Sequence, residues 1–219
     1  MHIGVLGGTG PAGQGLALRL ASVGVTVTIG SRSRDRAAEI CDKLLGQWPD
    51  RDLPIVPGDN AEAAATELVV VATPWDSAAP TVGTVAAQLS GKVVLSMVNA
   101  LTRVGSEFVP LIPPRGSVAA WIQAAVPAAK VAAGLHHVPA RELADLNHDL
   151  CGDVLVCSDH PEATLAVSDL ISTLPGLRAL DAGSLASASA IEALTPVLLQ
   201  INARYRTRAS IRLTNIDLG

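Results

Sequence analysis

The chain has 219 residues, 49% apolar and 16% charged, with a net charge of −4 and only 2% aromatic residues. This composition excludes a disordered chain, and the acidic balance with few rings argues against binding to nucleic acid or to an anionic membrane surface. Three scattered cysteines, Cys41, Cys151 and Cys157, have no metal-ligand spacing, so buried thiols in a reducing compartment are expected and no metal site.

The chain opens on "HIGVLG" (2–7), a short apolar run ending in glycines and read as a strand. No charged and apolar leader precedes it, and the charge-free stretches 77–91 and 116–129 are too short and too broken by Pro and Gly for a membrane span. A soluble cytoplasmic protein is expected. "PAGQGLALRLASVG" (11–24) has Leu16, Leu20 and Val23 at helical spacing and stops at Gly24. "VTVTIG" (25–30) is β-branched and alternating, which completes a βαβ unit. A helix over 33–46, a strand over 53–58 and a helix over 59–67 follow, the last with Asp59 or Asn60 as N-cap. "LVVVAT" (68–73) is wholly apolar, as a buried parallel strand requires. A helix near 77–89, a strand over 92–98, a Pro- and Gly-punctuated loop over 102–117, a helix over 117–126 and a strand over 129–135 come next. Beyond residue 140, "GDVLVCS" and "GLRALDA" read as strands around a helix over 161–174; a long helix near 185–205 precedes a last strand at "ASIRLTNI". The pattern predicts an α/β fold, a doubly wound and mostly parallel sheet, with a nucleotide-binding domain over 1–140 and a small α/β domain over 141–219.

"GGTGPAG" carries Gly8-x-Gly10-x-x-Gly13 between a strand and a helix, the context in which this spacing binds a dinucleotide. Gly8 allows the tight turn, Gly10 lets a pyrophosphate approach the backbone, and Gly13 lets helix and strand pack closely. Unpaired N–H groups at the helix start face the phosphates. About twenty residues on, an NAD-binding chain has an acid that holds the ribose hydroxyls. This chain has "GSRSRDR" (30–36) there. Ser31, Arg32 and Arg36 suit a 2′-phosphate, with Arg34 on another face, so NADP(H) is expected in preference to NAD(H).

Three more strand ends carry distinctive residues: "ATPW" (72–75), "MVNA" (97–100) and "LHHVPA" (135–140). Ligands of such sheets lie beyond the carboxyl ends of the strands. Thr73 and Asn99 are therefore candidates for contact with the nicotinamide half. His136 and His137 are adjacent and face opposite ways in an extended segment, so one of them faces a cleft. No nucleophile motif or acid–base pair is present, which fits direct hydride transfer between two cofactors governed by positioning. His136 is the one candidate for a catalytic role.

"GGTGPAGQGLALRLA", "GSRSRDRA", "VVVATPW", "LHHVPA", "CGDVLVCSD", "GLRALDAGSL" and "IEALTPVLLQINARY" occur in an order that resembles the NADPH-dependent reductases of the deazaflavin coenzyme F420, over nearly the whole chain. The resemblance implies a Rossmann-type domain with a small C-terminal domain, assembly as a homodimer, and hydride transfer between NADP(H) and F420. It implies that Thr9, Gly10, Pro11 and Ala12 hold the pyrophosphate and Ser31, Arg32 and Arg36 the 2′-phosphate. Thr73 and Asn99 would lie near the nicotinamide, and His136, Pro139 and Ala140 would line the deazaflavin cleft. Two departures stand out: Pro11 replaces a common Asn, and "SMVNAL" differs from the Pro-containing segment of some members. Arg204, Arg206, Arg208 and Arg212 are candidates to attract the anionic tail of F420. The competing readings are an NADPH-dependent reductase of an imine, a ketone or a flavin-bound metal, which needs His136 or His137 as proton donor, and a non-catalytic NADP(H) sensor.

Overall fold

The computed structural model describes residues 1–216. The chain runs β1 (His2–Leu6), α1 (Pro11–Ala21), β2 (Thr26–Ser31), α2 (Arg34–Gln47), β3 (Ile55–Asp59), α3 (Asn60–Ala64), β4 (Leu68–Val71), α4 (Trp75–Thr84), α5 (Ala86–Leu89) and β5 (Val93–Ser96). It continues through β6 (Leu101–Val104), β7 (Glu107–Pro110), α6 (Val118–Ala125), β8 (Lys130–Ala133), α7 (Ala140–Ala144), β9 (Gly152–Ser158), α8 (Pro161–Ser172), β10 (Leu177–Asp181) and α9 (Ala188–Tyr205).

Eight strands form one sheet in the order β10-β9-β8-β5-β4-β1-β2-β3. All its pairings are parallel except β8 with β9, where Ala132 faces Ser158 and Ala133 faces Cys157. This is the expected Rossmann-type, mostly parallel architecture, and the region beyond residue 140 extends the same sheet by two strands. Both faces are covered, which explains why β4 is apolar throughout. Val70 packs with α1, α2, α7 and α8, while Val69 and Val71 pack with α3 to α6 and the start of α9. The strand order reverses at β1, with β2 and β3 on one side and β4, β5 and β8 on the other. A reversal of this kind opens a crevice beyond the carboxyl ends.

Four expectations need correction. Residues 102–117 are not all loop: β6 and β7 form an antiparallel hairpin around Gly105 and Ser106, pairing Leu101 with Pro110 and Val104 with Glu107. Pro110 sits at the outer end of an isolated pair, where a missing N–H does little harm. "ASIRLTNI" is not a strand; Asp153 N–H donates to Ile211 C=O, and the Asp153 carboxylate accepts from Leu213 N–H, so a side chain holds this segment where a ladder was expected. The helix expected near 77–89 begins at Trp75 and divides at Val85. Cys151 is exposed, whereas Cys41 and Cys157 are buried and have their thiol pKa pushed up by burial, to about 11 and about 12.

Candidate active site

The glycine loop leaves β1 through Gly7, whose φ of +71° makes it the turn residue that Gly8 was expected to be. Gly8 serves another purpose: a Cβ there would crowd Val5 O at 3.0 Å. A Cβ on Gly13 would sit 2.7 Å from Gly8 Cα, so the loop and α1 touch backbone to backbone. Gly10 differs. Its φ of −81° suits any residue, and a Cβ would meet nothing closer than Gly7 O at 3.6 Å. Nothing in the chain demands glycine at position 10, so the space above it is free for a ligand. Pro11 is the first helical residue, where a missing N–H breaks no helical bond. The first α1 bond runs from Gln14 N–H to Gly10 C=O, which leaves the Ala12 and Gly13 N–H groups ahead of the ladder.

Thr9 and Gly10 border a crevice of about 480 Å³ with Ser31, Arg32 and Arg36 at one end and Thr73 toward the other. Ser33 starts α2, its hydroxyl accepting from Arg36 N–H. Arg36 also reaches Glu39 at 2.9 Å, a pair exposed enough to be weak. Arg34 turns away and pairs with Glu62. Arg32 has no acidic partner among the described residues. Two residues that border this crevice, Thr73 and Asn60, each have a buried side-chain oxygen, Oγ1 and Oδ1, without a hydrogen-bond partner. Buried polar atoms are rarely left so. The unpaired Arg32 with the weakly paired Arg36, open space over Gly10 and unpaired polar atoms together fit a phosphorylated dinucleotide.

On the other side of the glycine loop, Ala12 borders a second cleft of about 190 Å³ with Met97, Asn99, His136, Pro139, Ala140 and residues of α9. Its floor is tied to α1. A Cβ on Gly15 would stand 2.6 Å from Ala140 O, so α1 and α7 cross in close contact. Buried Arg19 then donates to the carbonyls of Leu143, Glu142, Asp145 and His148. Leu135 enters this floor with φ of +64°, a conformation costly for a leucine. His136 and His137 follow, and both are buried. Burial, then its neighbour His137, pushes the His136 pKa down to about 3, against a smaller opposing effect of the Met97 and Val98 backbone. Neither ring nitrogen of His136 has a partner in hydrogen-bond geometry. His137 turns the other way, with Nε2 2.6 Å from Asp153 O, and burial lowers its pKa too.

The His136 carbonyl accepts from Asn99 Nδ2 at 2.9 Å. The Thr195 hydroxyl is 2.9 Å from that carbonyl and 2.9 Å from Asn99 Oδ1, so its single proton serves one or the other. Asn99 therefore borders the cleft as part of a bonded trio. Sequence reasoning missed Thr195 and the cleft-lining Leu198, Leu199 and Asn202; the signal was the α9 segment itself, whose helical register faces the cleft. The carboxylate of buried Glu192, one turn before Thr195, accepts from Val118 and Ala119 N–H at the start of α6. Burial raises its pKa to about 7 despite those two bonds. Of the C-terminal arginines, Arg204 pairs with Glu107, Arg208 with Glu142 and Arg212 lies 3.8 Å from Asp153, while Arg206 is exposed with no acidic partner among the described residues.

Residues 2–100 match the family described as NADP oxidoreductase, coenzyme F420-dependent. The chain is 35% identical, over 100% of both chains, to the F420-dependent NADP reductase of Methanocaldococcus jannaschii. It is 36% identical, over 99% of both, to the F420-dependent NADP reductase of Methanothermobacter marburgensis. A crystal structure from Arthrobacter sp., provisionally called an F420-dependent NADP reductase, superposes with a TM-score of 0.83 at 27% identity, covering 97% of this chain and 99% of that one.

Proposed function

The chain belongs to the family of F420-dependent NADP reductases, and on that premise we propose that it transfers a hydride between NADP(H) and the deazaflavin coenzyme F420. The two cofactors supply the redox chemistry, a hydride passing between nicotinamide and deazaflavin. The protein positions them. Arg32 and Arg36, with Ser31, bind the 2′-phosphate. Thr9, Gly10, Pro11 and Ala12 border the pyrophosphate, with Gly8 and Gly13 holding the loop against α1. Thr73 and Asn99 flank the nicotinamide, and His136, Pro139 and Ala140 line the deazaflavin side. The observation that carries this reading is that two clefts meet at the glycine loop, one bordered by Arg36 and the unpaired Arg32 and one by a buried neutral histidine.

A reductase of an imine or ketone needs a proton donor beside the reacting carbon. His136, with a pKa of about 3, is neutral at pH 7 and a poor acid, and His137 is turned to the Asp153 carbonyl with its pKa also lowered by burial, which disfavours that alternative. The test is to mix the protein with NADPH and F420 and follow the visible absorbance of the deazaflavin. Bleaching is expected, and its absence at every pH tried would end the reading.

The enzyme works as a cytoplasmic homodimer. Val197 and Tyr205 on α9 are exposed beside Val104, Val109 and Ile112 of the hairpin region, and Gln200 and Arg204 tie these elements together through Phe108 and Glu107. Such an apolar surface suits a second copy of the same chain. Light scattering at the mass of one chain would refute the dimer. Among the described residues no helix is long and apolar enough to cross a membrane.

A further inference from the structure

We infer that Asn60 reads the adenosine ribose of NADP(H), its side-chain carbonyl accepting a hydrogen bond from the 3′-hydroxyl beside the 2′-phosphate; this rests on the NADP(H) reading above. Asn60 is the first residue of α3, directly beyond β3. An asparagine there would ordinarily cap the helix. Here Asp59 and Glu62 do so reciprocally: Asp59 Oδ1 accepts from Glu62 N–H at 2.8 Å, and Glu62 Oε2 accepts from Asp59 N–H at 2.7 Å. The Asn60 amide is left without a capping duty. Its Oδ1 is nevertheless buried and without a donor.

That oxygen hangs over the end of β2. A Cβ on Gly30 would stand 3.4 Å from it, and Asn60 borders the same crevice as Ser31, Arg32 and Arg36. The chemistry of the missing donor is restricted. A phosphate group on the 2′ position offers acceptors, which suit the arginines and leave a carbonyl oxygen unsatisfied. The free 3′-hydroxyl offers a donor. In NAD-binding relatives of this fold, one acid at the end of β2 accepts from both ribose hydroxyls. Replacing that acid with Ser31 and Arg32 secures the phosphate but leaves the 3′-hydroxyl without an acceptor from β2. Asn60 supplies one from the adjacent strand end, as a neutral amide that does not repel the phosphate.

The test is calorimetric binding of NADP+ and of its 3′-deoxy analogue, which keeps the 2′-phosphate, to the wild type and to Asn60→Ala. The wild type should prefer NADP+ by about tenfold, and Asn60→Ala should bind the two alike. A wild type that binds both alike, or an Asn60→Ala that keeps the full preference, overturns the inference. Asn60→Asp serves if the alanine variant does not fold: it retains an acceptor, so it should keep its affinity for NAD+ while losing NADP+ to charge repulsion, and equal losses for both overturn the inference. A wild type that binds no NADP+ overturns the underlying reading and this inference with it.

Discussion

Thr195 on α9 stands 2.9 Å from the carbonyl oxygen of His136, 59 residues earlier in the chain, and the same distance from Asn99 Oδ1. Three separate elements, the loops after β5 and β8 and the last helix, converge on one hydroxyl. Thr195→Val keeps the shape and removes the hydroxyl. It should cost about 1 kcal/mol of stability. It should also raise the KM for F420 several-fold and the KM for NADPH by less, because Thr195 borders the second cleft and reaches the nicotinamide side only through Asn99. Steady-state kinetics with each cofactor varied in turn checks this, and equal effects on both KM values would argue against it.

Arg32 and Arg36 make a second prediction. Arg32→Asp replaces an unpaired cation with the acid of an NAD-binding site. NADPH should bind roughly a hundredfold more weakly, the scale of a lost charge-assisted contact plus repulsion. NADH should change by about threefold or less. Equal losses for the two cofactors would mean that the basic residues are only a solvated helix start.

The glycine loop separates folding from binding. Gly13→Ala forces a Cβ to 2.7 Å from Gly8 Cα and should destabilise the protein by about 1–3 kcal/mol. Gly10→Ala meets nothing closer than 3.6 Å, so its melting temperature should stay near the wild type. Its NADPH affinity should fall by about tenfold or more, since the new methyl occupies the space left for the pyrophosphate. Thermal melts and NADPH titrations of the two variants together decide the matter.

Arg19 should be among the least replaceable residues. It is buried, and its guanidinium serves four carbonyls on α7 and the loop after it. Arg19→Met should cost about 3 kcal/mol, and Arg19→Lys should rescue little because an ammonium cannot span the same acceptors. Denaturant unfolding measures both variants.

The pH dependence has two opposing parts. Glu192 has a folded pKa of about 7, above its ordinary 4.5, so it contributes stability below pH 4.5 that is lost as pH rises toward 7. His136 has a folded pKa of about 3, below its ordinary 6.5, so its contribution is lost as pH falls below 6.5. His137, also lowered, acts in the same direction as His136. Glu192→Gln removes the first part only. The wild type should therefore gain stability relative to this variant as pH falls from about 8 to about 5, by up to about 1.4 kcal/mol per unit inside the window. Parallel stability–pH curves would refute the raised pKa.

Much of the fold, and the residues that border the two clefts at the strand ends, could be read from the sequence, for physical reasons. Helical spacing in 11–24 and the unbroken apolar run at 68–73 report local backbone geometry and two-sided burial, which need no knowledge of distant residues. The same holds for the glycine loop and the basic end of β2. Thr195 and Arg19 were invisible because their partners are set by how helices cross, across 59 and more than 120 residues. The hairpin at 101–110 was hidden by Gly105 and by Pro110, a proline that the end of an isolated two-stranded pair tolerates. "ASIRLTNI" has a convincing alternation, but the Asp153 side chain ties it down where a strand ladder was expected.

The antiparallel step between β8 and β9 has a consequence for the direction of the last helix. Because β9 and β10 run backwards, the chain leaves β10 at the edge of the sheet remote from the cofactor crevice. From there α9 climbs alongside α6, passing Glu192 at the α6 start and Thr195 at the His136 carbonyl. Had those two strands followed their neighbours, the helix would set out from the cleft and travel away from it. One reversed pairing turns what would be a departing tail into the wall that closes the second cleft.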